Sequence, residues 1–276
     1  MPAQNERARP DRCLDFRGGS GAVLMESESI RHLWREESGS VEFRQRRIRG
    51  ISLAAASAGV TYTQRMSSRE SVTLPEDILR GISTEEIADL PIGRYQGDVR
   101  LVSSEQDFED ARNDFLRERW VGFDTETRPS FKKGDVHLPC MIQAATERAV
   151  YLFRIRPDSD FRVPAELIAS QEALKVGVGL AYDMRALKRL HPFDERGTLD
   201  LGDLARQCGL KQTGVRSLAG IFLKLRIPKV TKTSNWAAPR LTSAQIQYAA
   251  TDAWICRELF LRFKSLGMIR PDPFPA

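Results

Sequence analysis

The chain has 276 residues, enough to bury a substantial core in one domain of moderate size with appendages. Its formal net charge of +5 and pI near 9.1 are a mild basic excess that permits a nucleic-acid partner without requiring one. Four scattered cysteines (Cys13, Cys140, Cys208 and Cys256) exclude a Cys-x-x-Cys zinc site and a disulfide framework, and read as free thiols of a reducing, cytoplasmic setting; no apolar run approaches the roughly 18 residues of a membrane span.

Residues 1–65 carry eleven arginines and no lysine, with many serines and glycines and no sustained period. So little apolar surface cannot offset the entropy of ordering, so this segment is expected to be a disordered extension. Within it RQRRIRG-ISLAAASAG mimics a basic and then apolar leader. It lies too far in and is too rich in alanine and serine to be one. Ordinary patterning begins near Met66, and residues 66–96 read as a short helical lead-in, LPEDILRGISTEEIADL, with a Ser83–Glu86 capping box.

An α/β pattern follows over residues 97–270, leaving a tail at 271–276. DVRLVSS reads as a strand. SEQDFEDARNDFLRER reads as an amphipathic helix with Phe108, Ala111 and Phe115 on one face. WVGFDTE is the next strand, and LPCMIQAAT and RAVYLFRI pair around a turn at Glu147 and Arg148. ALKVGVGL runs as a buried strand into the helix YDMRALKRL. LGDLARQCG, VRSLAGIFLKL and SAQIQYAATDAWICRELFLRFKSLG are helical. Three successive strands followed by alternation predict a mixed sheet with helices packed on it.

Acids stand where such elements usually carry apolar groups. In VGFDTET, Asp124 and Glu126 share one strand face, roughly 6.5–7 Å apart along the backbone, a spacing that lets two carboxylates converge on one cation. A strand running out into a polar turn would look the same. VGVGLAYD puts Asp183 at the start of a helix, where the dipole alone favours an acid. YAATD sets Tyr248 and Asp252 on one helical face, and Ala249, Ala250 and Ala253 keep the surface beside them low enough for close approach.

Taken in order, FDTET, VGVGLAYDMRAL and IQYAATDA resemble the three exonuclease motifs of the DEDDy branch of 3′–5′ exonucleases, a family that includes ribonuclease D and the exonuclease domain of the Werner syndrome protein. SNWAAPRLTSAQIQ resembles the segment that precedes the third motif, and the likeness spans residues 97 to 267. It implies a ribonuclease H-like α/β fold and a metal-dependent enzyme that releases nucleoside 5′-monophosphates from the 3′ end of a single strand, DNA or RNA. It also implies two divalent cations, Mg²⁺ or Mn²⁺. Asp124 would bridge them, Glu126 and Asp252 would hold the one that activates water, Asp183 would support the other, and Tyr248 would orient the water. The residue types suit hard cations, which take oxygen ligands, and without ions four clustered carboxyls repel one another and some stay protonated. The sister branch carries a histidine where Gln247 stands.

Charge placement points independently to nucleic acid. From residue 204 to 251 there are eight Lys or Arg and no Asp or Glu. Lys224, Arg226, Lys229, Lys232 and Arg240 lie in or beside the loop leading to the Tyr248 helix, suited to a phosphate backbone, and Trp236 is a candidate for stacking on a base. Lys132 and Lys133 are further candidates. A solvated loop and a core tryptophan remain the plainer alternative. Twenty-four residues follow Asp252, too few for the helical domains at the end of ribonuclease D. Substrate choice is therefore expected to rest on the exonuclease domain or on partners.

The rival readings have specific weaknesses. The glycines at 177 and 179 lack the third of a dinucleotide fingerprint, since Tyr182 stands there, and no Gly-Lys-Ser/Thr loop is present. A ribonuclease H-like endonuclease is disfavoured by Tyr-x-x-x-Asp on the last helix. A catalytically silent nucleic-acid-binding module is disfavoured because all five motif positions are filled.

Overall fold

The computed structural model describes residues 73–130, 137–156, 161–228 and 234–269. The expected extension at 1–65, the tail at 271–276 and the candidates Lys132, Lys133, Lys229 and Lys232 lie outside them. The lead-in forms two short helices, α1 (Glu76–Leu79) and α2 (Thr84–Asp89). Ser83 caps α2: its hydroxyl accepts from the Glu86 N–H at 3.1 Å, and the Glu86 carboxylate accepts from the Ser83 N–H at 2.7 Å. Arg80 and that same backbone bond, with Lys224 nearby, hold the Glu86 carboxyl down at about 2.

The strands are β1 (Asp98–Val102), β2 (Trp120–Thr127), β3 (Pro139–Ala145), β4 (Ala149–Arg154), β5 (Leu174–Gly177) and β6 (Thr198–Asp200). They form one six-stranded sheet in the order β1-β4-β3-β2-β5-β6. β3 runs antiparallel to β2 and β4, and the other pairings are parallel, so the sheet is mixed as expected. The helix before β2, α3 (Glu105–Phe115), takes Ser104 as its cap, which ends β1 two residues earlier than the reading of DVRLVSS.

Two elements escaped the pattern reading. FRVPAELIAS forms α4 (Arg162–Ala169), whose eight residues include a proline and are too few for a clear period. β6 has only three residues and is defined by its pairing with β5. After β5, Gly179 adopts φ +86°, which side chains resist, and starts α5 (Leu180–Leu190). α6 (Leu201–Gln207) is capped by the Asp200 side chain, and α7 (Val215–Leu218) passes into a π turn (Ala219–Leu223) that ends at Lys224, φ 56°. α8 (Ser243–Ser265) is the long last helix.

Alternation along β2 assigns its two faces. Val121 and Phe123 pack with Ala111 and Phe115 of α3, Leu167 and Ile168 of α4, and Leu180 and Met184 of α5. The other face meets α8 through Ala249, Ala250 and Ala253, with Met141 and Ala145 of β3. Further along α8, Ile255, Leu259, Phe260 and Phe263 close a third cluster with β5, β6 and α6. Gly122 makes the α8 contact possible: a Cβ built there would lie 2.1 Å from the Ala253 carbonyl oxygen. Cys140, Cys208 and Cys256 are free thiols, and among the described residues no helix is long and apolar enough to cross a membrane.

Candidate active site

The close seat of α8 on Gly122 carries its acid to the sheet. Residues at every second position of a strand share a face, so Asp124 and Glu126 follow Gly122 on the side that α8 covers. Asp252 stands one residue before Ala253, is buried, and bears directly on both. Asp183 enters from the opposite layer, in the first turn of α5, where its carboxylate accepts a 2.6 Å hydrogen bond from the Thr125 hydroxyl. One strand end, one helix start and one helix middle thus bring four acids together.

Their electrostatics report that closeness. Burial first, then the charges of Asp252, Asp183 and Glu126, push the Asp124 carboxyl well above its ordinary range. Burial, with Asp252 and Asp183, raises Glu126 to about 8. Asp183 rises to about 6 through burial and Asp200, against the opposing Thr125 bond. Asp252 also rises to about 6 by burial, opposed by its bond to Tyr248 and by the charge of Arg216. These are carboxyls facing one another, with Arg216 offsetting the rise only at Asp252.

That frustration predicts a pH response of the ion-free protein. Each acid binds its proton more tightly folded than unfolded, so the unfolded chain holds fewer protons between about pH 4 and the raised values, and stability falls as pH climbs. With EDTA, the thermal midpoint is expected to drop from about pH 5 to about pH 7, through about 6 for Asp183 and Asp252; above that, Glu126 at about 8 still lowers it while the buried Lys175 ammonium, pushed down to about 7, acts in the opposite sense. Millimolar Mn²⁺ should flatten or reverse that slope. An EDTA profile that rises from about pH 5 to about pH 7 would contradict the cluster.

The donor set fits divalent cations. It is all carboxylate oxygen, the Asp252 Oδ1 is buried without a hydrogen-bond partner among the described residues, and the repulsion among the acids is the kind that positive charge relieves. Among the described residues no group of three or more His, Cys, Asp or Glu side chains stands in a geometry that would hold a metal ion as it is.

Tyr248 is half-buried and bonds to the Asp252 carboxylate one turn on. Burial and the neighbouring acids raise its pKa, so the phenol keeps its proton and donates. Its ring lies 6.0 Å from Trp236, tilted by 39°. Here the expectation of base stacking fails. Trp236 is only 2% exposed and packs among Met141, Leu152 and Ala250, where it buttresses Tyr248. Its loop is held to the sheet by Arg154, whose guanidinium donates to the Pro239 carbonyl at 2.8 Å and to that of Ala238.

The basic candidates divide. Arg240 is exposed just before α8. Lys224 and Arg226 sit beside the lead-in: Arg226 accepts from the Gly93 N–H at 2.9 Å and donates its own N–H to Pro91 at 2.8 Å. Arg216 was counted in the acid-free stretch but not singled out, yet its charge reaches Asp252. Gln247, at the place of the sister branch's histidine, donates to the Tyr95 carbonyl at 2.7 Å and anchors the lead-in to α8.

Comparison with known proteins identifies the family and the fold. Residues 99–267 match the family model described as 3′-5′ exonuclease. An Arabidopsis thaliana protein named 3′-5′ exonuclease is 30% identical over 168 residues, covering 57% of this chain and 57% of its own. The mouse exonuclease 3′-5′ domain-containing protein 2 is 36% identical over 120 residues, 41% of this chain and 18% of its own. This chain therefore spans little more than half the length of one relative and under a fifth of the other. Among solved structures, the Nibbler EXO domain of Aedes aegypti superposes with a TM-score of 0.56 at 25% identity, covering 66% of this chain and 95% of that one.

Proposed function

The chain belongs to the 3′–5′ exonuclease family, and from that premise we propose that it hydrolyses phosphodiester bonds from the 3′ end of a single-stranded nucleic acid, releasing nucleoside 5′-monophosphates. The observation that carries this reading is the convergence of Asp124, Glu126, Asp183 and Asp252 with their pKa values raised. These four would hold two divalent cations, Mg²⁺ or Mn²⁺. Such ions, when bound, neutralise charge on the phosphoryl oxygens and activate the attacking water.

The chain's own groups supply orientation. Asp124 and Glu126, fixed on one strand face, set the direction from which the phosphate is approached. Thr125 holds Asp183 through its hydroxyl, so that carboxylate has a defined rotation. Tyr248 remains protonated and donates to Asp252, which leaves its phenol oxygen to accept from the attacking water and orient it. Arg216, close to Asp252, and exposed Arg240 are suited to the substrate's backbone charge.

The test is a degradation ladder on 5′-labelled single-stranded DNA and RNA, with Mg²⁺, Mn²⁺ or EDTA. Shortening from the 3′ end that EDTA stops is the expected result. Tyr248→Phe should reduce kcat by about 10²-fold with little change in KM, as loss of one group that orients the water does. Binding of both strands without any cleavage in either ion would instead favour a silent binding module.

A further inference from the structure

Gln143, in the middle of β3, is 0% exposed, and neither atom of its amide has a hydrogen-bond partner among the described residues. Buried amides are ordinarily satisfied, because an unmet donor or acceptor is costly. Lys175, the other long polar side chain at 0% exposure, obeys the rule: its ammonium donates to the carbonyls of Ser170 at 2.6 Å and Ala173 at 2.9 Å. Gln143 is thus a retained cost at a particular place.

That place is opposite Asp124. The antiparallel register pairs Asp124 with Gln143, flanked by Gly122 with Ala145 and Glu126 with Met141. Residues directly opposite in such a pair point to the same face, with Cβ atoms about 4.5–5.5 Å apart. Met141 and Ala145 pack against Ala249, Ala250 and Ala253 of α8, so Gln143, two residues from each, faces the same helix. Its amide therefore lies beneath the acidic cluster, beside the carboxylate that burial and three acids disfavour most.

We propose that Gln143 is a positioning residue for Asp124: its amide N–H donates across the strand pair to the Asp124 carboxylate when that carboxylate holds a cation, fixing its rotation. The proposal rests on the metal reading of the acids given above. An amide suits the position because it is a donor without charge. A lysine there would compete with the ions, and an apolar residue would leave the carboxylate free to turn. The proposed bond would give the buried amide N–H its acceptor. Groups that orient metal-binding side chains are typically worth about 10–100-fold in metal affinity.

The experiment uses the full chain as wild type, Gln143→Met and Gln143→Leu, with Asp124→Asn as reference. Thermal midpoints are read in EDTA, Mn²⁺ affinity by calorimetry without nucleic acid, and kcat and KM on a labelled oligonucleotide. Removing an unsatisfied buried amide for an apolar group of similar size should leave the ion-free midpoint unchanged or higher. Mn²⁺ affinity should fall about tenfold or more and kcat at least as far, with KM within about twofold. Mn²⁺ affinity within twofold of wild type in a folded variant overturns the proposal. So does failure of both variants to fold, which would make Gln143 a packing residue. Absence of Mn²⁺ binding by the wild type, or equal binding by Asp124→Asn, overturns the metal reading and this proposal with it.

Discussion

Asp124→Asn is expected to give a folded protein with about 10³-fold less nuclease activity or lower, and with an ion-free thermal midpoint above that of the wild type. The two effects have one cause. Asp124 is the acid on which the other three converge, and its carboxyl is held far above its ordinary range by burial, Asp252, Asp183 and Glu126. Near neutral pH its ionisation is a cost to the folded state, and a neutral amide of the same shape removes that cost. The same change removes one of the four carboxylates proposed to hold the cations. Mn²⁺ should then cease to raise the midpoint, a readout separate from turnover. Nuclease assays and melting curves at pH 7, each with EDTA and with Mn²⁺, check both halves. Activity above a tenth of wild type would overturn the proposed role of Asp124 in holding the cations.

The second large effect is expected from a residue with no chemistry of its own. Gly122→Ala places a methyl group 2.1 Å from the Ala253 carbonyl oxygen and 2.9 Å from the Arg257 nitrogen, both backbone atoms of α8. Neither can rotate aside, so the helix itself must shift. Overpacking of this kind costs about 1–3 kcal/mol, or roughly 3–10 °C in the midpoint for a domain of this size. Asp252 and Tyr248 travel with α8, and a displacement near 1 Å at a reacting centre costs about 10²-fold. Activity should therefore fall further than stability, with the loss persisting at temperatures where the variant is fully folded. Circular dichroism melting beside initial rates at about 20 °C below the variant's midpoint separates the two. Wild-type turnover in a destabilised protein would show that the helix accommodates the methyl without moving the acids.

The chain's local chemistry was enough to find much of this. Asp124 and Glu126 are legible because strand alternation puts them on one face, and Tyr248 and Asp252 because four residues make a helical turn. The Ser83–Glu86 cap, the mixed sheet and the alanines that lower the surface of α8 are likewise patterns of period or spacing, encoded within a few residues. α4 and β6 were too short to carry such a period, and β6 exists as a strand only through its pairing with β5.

Tertiary structure alone decided the rest, because the deciding partners are distant in the chain. Trp236 sits in a basic, proline-containing loop whose composition suggested exposure, yet Arg154, some 80 residues earlier, clamps that loop down and Tyr248 meets the indole. Thr125 was a spacer in FDTET until α5 brought Asp183 to its hydroxyl. Arg216 was one cation among eight until folding set its charge against Asp252. Gln143 was an unremarked strand residue until the register with β2 put it opposite Asp124 and α8 sealed it from water. The sequence by itself determined which residues share a face, since that depends on backbone period alone. Which of those faces meet, and which polar groups are thereby stripped of water, depends on long-range packing that only the folded chain contains.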